Sequence, residues 1–276
     1  MTTHAGEVPA CLTIGSSDSS GGAGIQGDIK AYAAVGCFPA TVVVGVTAQN
    51  MAGVRDRWSL PVEAINAQLD AVFDELPIAA VKVGTTWSAE VLSVIAVHLA
   101  RCAERGVPIV VDPVITSTAG STITRNVDLD AIARYLLPWA TVVTPNREEA
   151  RLLAGPGGES SRRAEAERIA QLGASTVVIT PGPAETGDWF FDGADHHLVE
   201  GQHHAGGAEH GAGCAHSATL AGLLAQRWSL AEAVVEAKRR SSLGVARGLA
   251  NVGERVHPVD VLGLVDFGLA RTESSR

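Results

Sequence analysis

Short apolar runs rich in Val, Ile and Ala alternate along this chain with stretches whose apolar positions recur at helical spacing. Residues 10–15 read as a buried strand that runs into a glycine-rich segment at 16–24, and 25–35 read as a helix. A β-branched strand is predicted at 41–46, then a helix at 62–74 with Ile65, Leu69 and Val72 on one face. Strand 79–83, helix 89–105 and strand 109–112 follow, the last stopped by Pro113. Beyond these lie helix 129–137, strand 141–143, helices opening at 148–153 and 165–172, and strand 176–180. Residues 189–191 and 196–199 read as a small antiparallel pair around Asp192-Gly193, and helices at 214–226 and 230–249 close the pattern.

Strand and helix in regular alternation mean an α/β fold with a central, mostly parallel sheet flanked by helices on both faces. Ligands in such sheets bind beyond the carboxyl ends of the strands. The polar segments just after strands are therefore the candidate site: 16–24, 47–50, 82–85, Asp112-Pro113, 144–146 and 180–182. The 276 residues show no linker, repeat or low-complexity segment and are expected to form one domain, with a polar tail from Ala270 expected to fray.

Composition narrows the class. Hydrophobic residues make up 46% of the chain and aromatics 4%, with 30 glycines, which suits helices packed closely on a Val/Ile/Ala sheet. The net charge of −9 argues against nucleic acid or an anionic membrane as partner. No 18-residue apolar run and no basic-then-apolar leader is present, and the four cysteines sit far apart, so a cytoplasmic protein with free thiols is expected.

Four motifs carry candidate chemistry. Ser17-Asp18-Ser19-Ser20-Gly21-Gly22-Ala23-Gly24 lies between strand and helix, where backbone amides can approach a ligand; its spacing fits neither the phosphate loop nor the dinucleotide fingerprint. The plain alternative is a turn with Asp18 or Ser19 as helix cap. Asp112-Pro113-Val114 places a carboxylate at a strand end, where it can organise Mg²⁺ through water. In Thr144-Pro145-Asn146-Arg147-Glu148-Glu149, capping is the plain role of either glutamate, more so of Glu148. His210-Gly211-Ala212-Gly213-Cys214 precedes a helix and leaves several amides free for an anion, with Cys214 expected to have a lowered pKa there. Six of the nine histidines (His196, His197, His203, His204, His210, His216) crowd this region; their spacing fits no common zinc signature, and a solvated loop and hairpin face is expected.

Taken in order, these motifs resemble the hydroxymethylpyrimidine/phosphomethylpyrimidine kinase family of the ribokinase-like superfamily, over nearly the whole chain from Leu12 to Val261. The resemblance rests on residues 13–28, Thr47-Ala48-Gln49-Asn50, Val81-Lys82-Val83-Gly84, Asp112-Pro113-Val114, Thr144-Pro145-Asn146 with Glu149, and Gly211-Ala212-Gly213-Cys214. It implies a ribokinase-like fold and ATP-dependent phosphorylation of a hydroxymethylpyrimidine, or its monophosphate, in thiamine synthesis. By resemblance, Ala23, Asp28, Gln49 and Thr85 line the pyrimidine pocket, and Asp112, Asn146, Glu149 and Thr180 serve the nucleotide, with Mg²⁺ at Asp112 and Glu149. Gly211, Ala212 and Gly213 form the anion hole, Cys214 stands where sugar kinases carry an aspartate base, and a homodimer is implied.

The departures from the family gather on the nucleotide side. Thr180-Pro181-Gly182-Pro183 replaces a Lys-Gly-Gly, and 205–210 lack a lysine and a threonine while adding Glu209. Thr85 replaces a methionine, and 116–124 lack a Ser-Gly-Asp pattern. Three readings follow: a kinase with altered acceptor or weaker nucleotide binding, a non-catalytic binder of a pyrimidine-like ligand, and a repurposed enzyme using Cys214 as nucleophile without ATP. Arg147 is the nearest candidate to replace the missing cations.

Overall fold

The computed structural model describes residues 7–115, 129–157, 160–182, 185–202, 204, 208–254 and 256–264. The tail from Ala270, the segment 116–124, Pro183, His203 and residues 205–207 lie outside the described residues.

Nine strands form one sheet: β1 (Ala10–Asp18), β2 (Phe38–Asn50), β3 (Gly53–Ser59), β4 (Ile78–Val83), β5 (Ile109–Val111), β6 (Val142–Val143), β7 (Val177–Ile179), β8 (Asp188–Phe191) and β9 (His196–Val199). Their order is β3-β2-β1-β4-β5-β6-β7-β8-β9. The run from β2 through β7 is parallel, and β3, β8 and β9 add antiparallel edges. The helices are α1 (Gly24–Ala34), α2 (Val62–Glu75), α3 (Ala89–Glu104), α4 (Leu129–Tyr135), α5 (Arg147–Ala154), α6 (Arg162–Gln171), α7 (Ala212–Ala225) and α8 (Leu230–Ala246).

The parallel strands are apolar on both faces because successive side chains enter different cores. Leu12, Ile14, Val81, Val83, Val111 and Val143 join Ile65, Leu69, Ile95, Leu99 and Ile132 from α2, α3 and α4. Cys11, Ala80, Val110, Val142 and Val178 face the other way, onto Tyr32, Ala218, Leu220 and Val234 of α1, α7 and α8. The strand order reverses between β1 and β4, so a crevice opens where these two strands end.

Several boundaries differ from the sequence reading. β1 runs on to Asp18 and β2 to Asn50, so 16–18 and 47–50 are strand, not loop. β3 was not predicted; its Arg55, Asp56, Arg57, Trp58 and Ser59 are all exposed, and a strand without a buried face carries no hydrophobic alternation. The helix read at 129–137 ends at Tyr135, where Pro138 forces a 3₁₀ turn over Leu137–Trp139. The last helix stops at Ala246.

Candidate active site

The segment after β1 is shaped by one carboxylate. Asp18 is 3% exposed. Its Oδ1 accepts from the Ser20 amide at 2.8 Å and its Oδ2 from the Ala23 amide at 2.9 Å. Asp18 therefore folds the 18–23 loop back on itself, the local competition with regular structure that aspartate favours. The N-cap of α1 is Ala23, with no side-chain cap, so neither Asp18 nor Ser19 is the helix cap. Asp18 Oδ2 also meets His210 Nε2 at 3.2 Å, tying this loop to the entry of α7. Burial works against the Asp18 charge, but His210, Ser20 and the Ala23 amide outweigh it and hold the carboxyl below its ordinary range.

α7 starts at Ala212, two residues earlier than its pattern suggested, with Gly211 as N-cap at φ +83°. A Cβ at Gly211 would overlap the Gly22 carbonyl oxygen, so glycine is required there for both backbone conformation and close approach. Gly213 differs: it is exposed, and a Cβ there would meet nothing within 4 Å. Among the described residues the Gly213 and Cys214 amides have no backbone acceptor, whereas the Ala212 amide donates to the Glu209 carbonyl at 3.1 Å. Of the residues expected to form the anion hole, Ala212 is thus the one whose amide is already engaged.

Cys214 is half-buried, and its side chain packs against Gly27 of α1. Burial is the largest influence on its thiol; Asp28 and Asp112 add to it, Lys82 and the Gly24 amide oppose it, and the pKa is pushed up to about 12. The expected lowering by the helix end is reversed. At neutral pH the group is a thiol, which weighs against a resting thiolate nucleophile.

Beside Cys214 lies a buried ionic cluster whose members the sequence reading named without pairing them. Lys82, from β4, is 1% exposed; its Nζ donates to both Asp28 oxygens at 2.9 Å and lies 3.7 Å from Asp112 Oδ2. Thr13 Oγ1 donates to Asp28 Oδ2 at 2.5 Å, and Ser217 Oγ to Asp112 Oδ2 at 2.8 Å. Burial alone would favour a neutral lysine, but Asp28 and Asp112 hold Lys82 above its ordinary range. Burial outweighs these partners at Asp28, whose carboxyl is raised. The sequence signal for Lys82 was a charged residue inside a Val-rich strand, rare unless paired.

The other acceptor-side residues sit at the same end of the sheet. Gln49 is half-buried in β2: its amide donates to Ser19 Oγ at 2.8 Å, and its Oε1 accepts from Thr47 Oγ1 at 3.1 Å. Thr85 is 9% exposed, and its amide lies beside Gly15 of β1.

On the nucleotide side, Asn146 and Thr180 are brought together by an isolated parallel bridge. Asn146 caps α5 in a capping box with Glu149, whose Oε2 accepts from the Asn146 amide at 2.9 Å and whose Oε1 accepts from Ile115 at 3.0 Å. Glu149 is therefore the capping glutamate and Glu148 the exposed one, opposite to the sequence reading, because only the third helical position can reach back to the cap amide. Arg147 pairs with buried Glu165 and lies 3.6 Å from Glu185, so its charge is already matched.

The histidines form a solvated face only in part: His197 of β9 is exposed, whereas others are drawn inward. His210 and His216 are buried, the latter 3.1 Å from buried Asp188, and His196 bridges Trp189 and Glu167. No group of three or more His, Cys, Asp or Glu among the described residues could hold a metal. Asp112 and Glu149 alone fit Mg²⁺ arriving with a nucleotide, an ion that commonly takes one or two carboxylates and completes its shell with phosphate and water. No helix among the described residues is long and apolar enough to cross a membrane.

Known proteins match this arrangement. The phosphomethylpyrimidine kinase family model covers residues 18–260. The hydroxymethylpyrimidine/phosphomethylpyrimidine kinase of Rhizobium meliloti is 40% identical over 82% of this chain and 86% of its own. That of Streptomyces coelicolor is 36% identical over 91% and 94%. Among solved structures, Staphylococcus aureus pyridoxal kinase in complex with pyridoxal has a TM-score of 0.81 at 28% identity, covering 93% of this chain and 94% of its own. Phosphomethylpyrimidine kinase from Clostridium difficile 630 has a TM-score of 0.72 at 32% identity, covering 84% and 97%. These likenesses confirm the ribokinase-like fold. With its motifs in order and relatives 36–40% identical over more than four fifths of its length, the chain belongs to the phosphomethylpyrimidine kinase family.

Proposed function

We propose that this chain transfers the terminal phosphoryl group of ATP to the hydroxymethyl group of a hydroxymethylpyrimidine, or to the phosphate of its monophosphate, as a step of thiamine synthesis. The observation that carries this reading is the junction at α7. There, among the described residues, the Gly213 and Cys214 amides have no backbone acceptor, Gly211 packs against the loop bearing Ala23, and Cys214 lies close enough to Asp28 to feel its charge.

Each residue then has a role. Ala23, Asp28, Gln49 and Thr85 orient the pyrimidine. The amides of Gly213 and Cys214, at a helix N-terminus, stabilise negative charge developing on the transferred group. Asp112 and Glu149 hold Mg²⁺, which neutralises phosphate charge when bound, and Asn146 and Thr180 meet the nucleotide. Phosphoryl transfer of this kind depends on positioning and charge neutralisation more than on covalent chemistry by the protein. Cys214 serves as a neutral, polar floor of the anion hole and donates its amide. We further propose a cytoplasmic homodimer, as the family resemblance implies.

The test is ADP release from Mg-ATP in the presence of hydroxymethylpyrimidine, followed by its monophosphate. Acceptor-dependent ADP release is expected; no nucleotide binding at millimolar concentration would sink the reading.

A further inference from the structure

A lysine taken wholly out of water needs a carboxylate, and one suffices. Lys82 has two, and they belong to different sides of the site. Its Nζ is bonded to both oxygens of Asp28 at 2.9 Å and stands 3.7 Å from Asp112 Oδ2. Thr13 fixes Asp28 and Ser217 fixes Asp112, so the ammonium is the one group of this cluster shared by both. The trio as a whole is short of one positive charge.

We propose that Lys82 is a positioning residue that couples acceptor binding to nucleotide binding. This rests on the reading above, in which Asp28 faces the acceptor and Asp112 the metal-bound nucleotide. A cation arriving with the nucleotide satisfies Asp112. Lys82 then turns wholly to Asp28, whose oxygens are fixed more firmly for the acceptor. No proton moves and no bond forms. The coupling is reciprocal: whatever factor nucleotide confers on acceptor affinity, acceptor confers on nucleotide affinity.

The experiment is calorimetric titration of hydroxymethylpyrimidine with and without saturating Mg²⁺ and the non-hydrolysable nucleotide AMP-PCP. In the wild-type protein the nucleotide is expected to tighten acceptor binding at least fivefold. In Lys82→Met the factor is expected to fall within twofold of unity, a change that a lysine serving only the fold would not produce. Absence of coupling in the wild type, or an equal factor in the variant, overturns the proposal. Should Lys82→Met fail to fold, Lys82→Gln, whose neutral amide can still donate a hydrogen bond in the cluster, is judged by the same two outcomes. If the wild type binds nucleotide but not hydroxymethylpyrimidine, the acceptor assignment fails instead. Titration with Mg²⁺ alone then judges Lys82. Its removal must tighten Mg²⁺ binding at least fivefold by freeing Asp112, and unchanged affinity overturns the proposal.

Discussion

His210 Nε2 stands 3.2 Å from Asp18 Oδ2, and this buried contact joins the end of the first strand to the segment that enters α7. Breaking it from either side leaves a buried polar group without its partner, which costs ~1–3 kcal/mol. Asp18→Asn and His210→Ala are each expected to lower the melting temperature by several degrees in calorimetry and to raise KM for acceptor and nucleotide together. The pH dependence has a definite sign. Asp18 is held below its ordinary range in the folded protein. Its contribution is therefore complete above the unfolded pKa of about 4 and is lost as pH falls through the lower folded value. Melting curves of wild type and Asp18→Asn should diverge at neutral pH and converge in acid.

Two neighbouring glycines should respond in opposite ways. Gly211→Ala forces a side chain into left-handed backbone and onto the Gly22 carbonyl, so a loss of more than ~1 kcal/mol of stability is expected. Gly213→Ala meets no atom of the protein, and alanine is the better helix former by ~1 kcal/mol. That variant should melt at or above the wild-type temperature while kcat/KM falls at least tenfold, because the methyl adds bulk on the residue that offers one of the two free amides. Unchanged kinetics in Gly213→Ala would remove this residue from the site.

A thiol pKa pushed up to about 12 makes Cys214 slow to alkylate. Its reaction with iodoacetamide should be negligible at pH 7 and rise about tenfold per pH unit until unfolding intervenes. Cys214→Ser is expected to retain activity within an order of magnitude. A fast, pH-independent reaction at Cys214 would show that the thiol ionises near neutrality.

Thr180 itself offers no charge to a nucleotide, and Arg147 is held by Glu165 and Glu185. A charge-assisted contact is worth ~1.5–3 kcal/mol. Thr180→Lys should therefore lower KM for Mg-ATP at least tenfold, measured at saturating acceptor, with kcat changed little.

Much of this was legible in the chain. Strands such as Ile109-Val110-Val111 announce themselves by apolar residues on both faces, and the parallel order places the polar ends at one rim. The residues of the acceptor loop and of Gly211–Cys214 were recognisable by motif. What the sequence could not convey was direction and partnership. β3 has no buried face to betray it. The sign of the Cys214 shift depends first on burial by the fold and then on Asp28 and Asp112, which are remote in sequence. The exchange of roles between Glu148 and Glu149 turns on which one reaches the Asn146 amide, a matter of helix phase by a single residue. Likewise, His210 and His216 look like surface histidines until Asp18 and Asp188 are seen facing them.

The Asp18–His210 contact spans 192 residues of chain. The loop of residues 18–23 is made early in synthesis and the turn at Gly211 near its end, with α7 packed against β1, β4 and β5 from the far end of the sequence. A nascent chain emerging from the ribosome therefore has no complete site until α7 has followed it out. Ligands can steady only the finished molecule, and a truncation before residue 210 discards the capacity to bind along with the capacity to react.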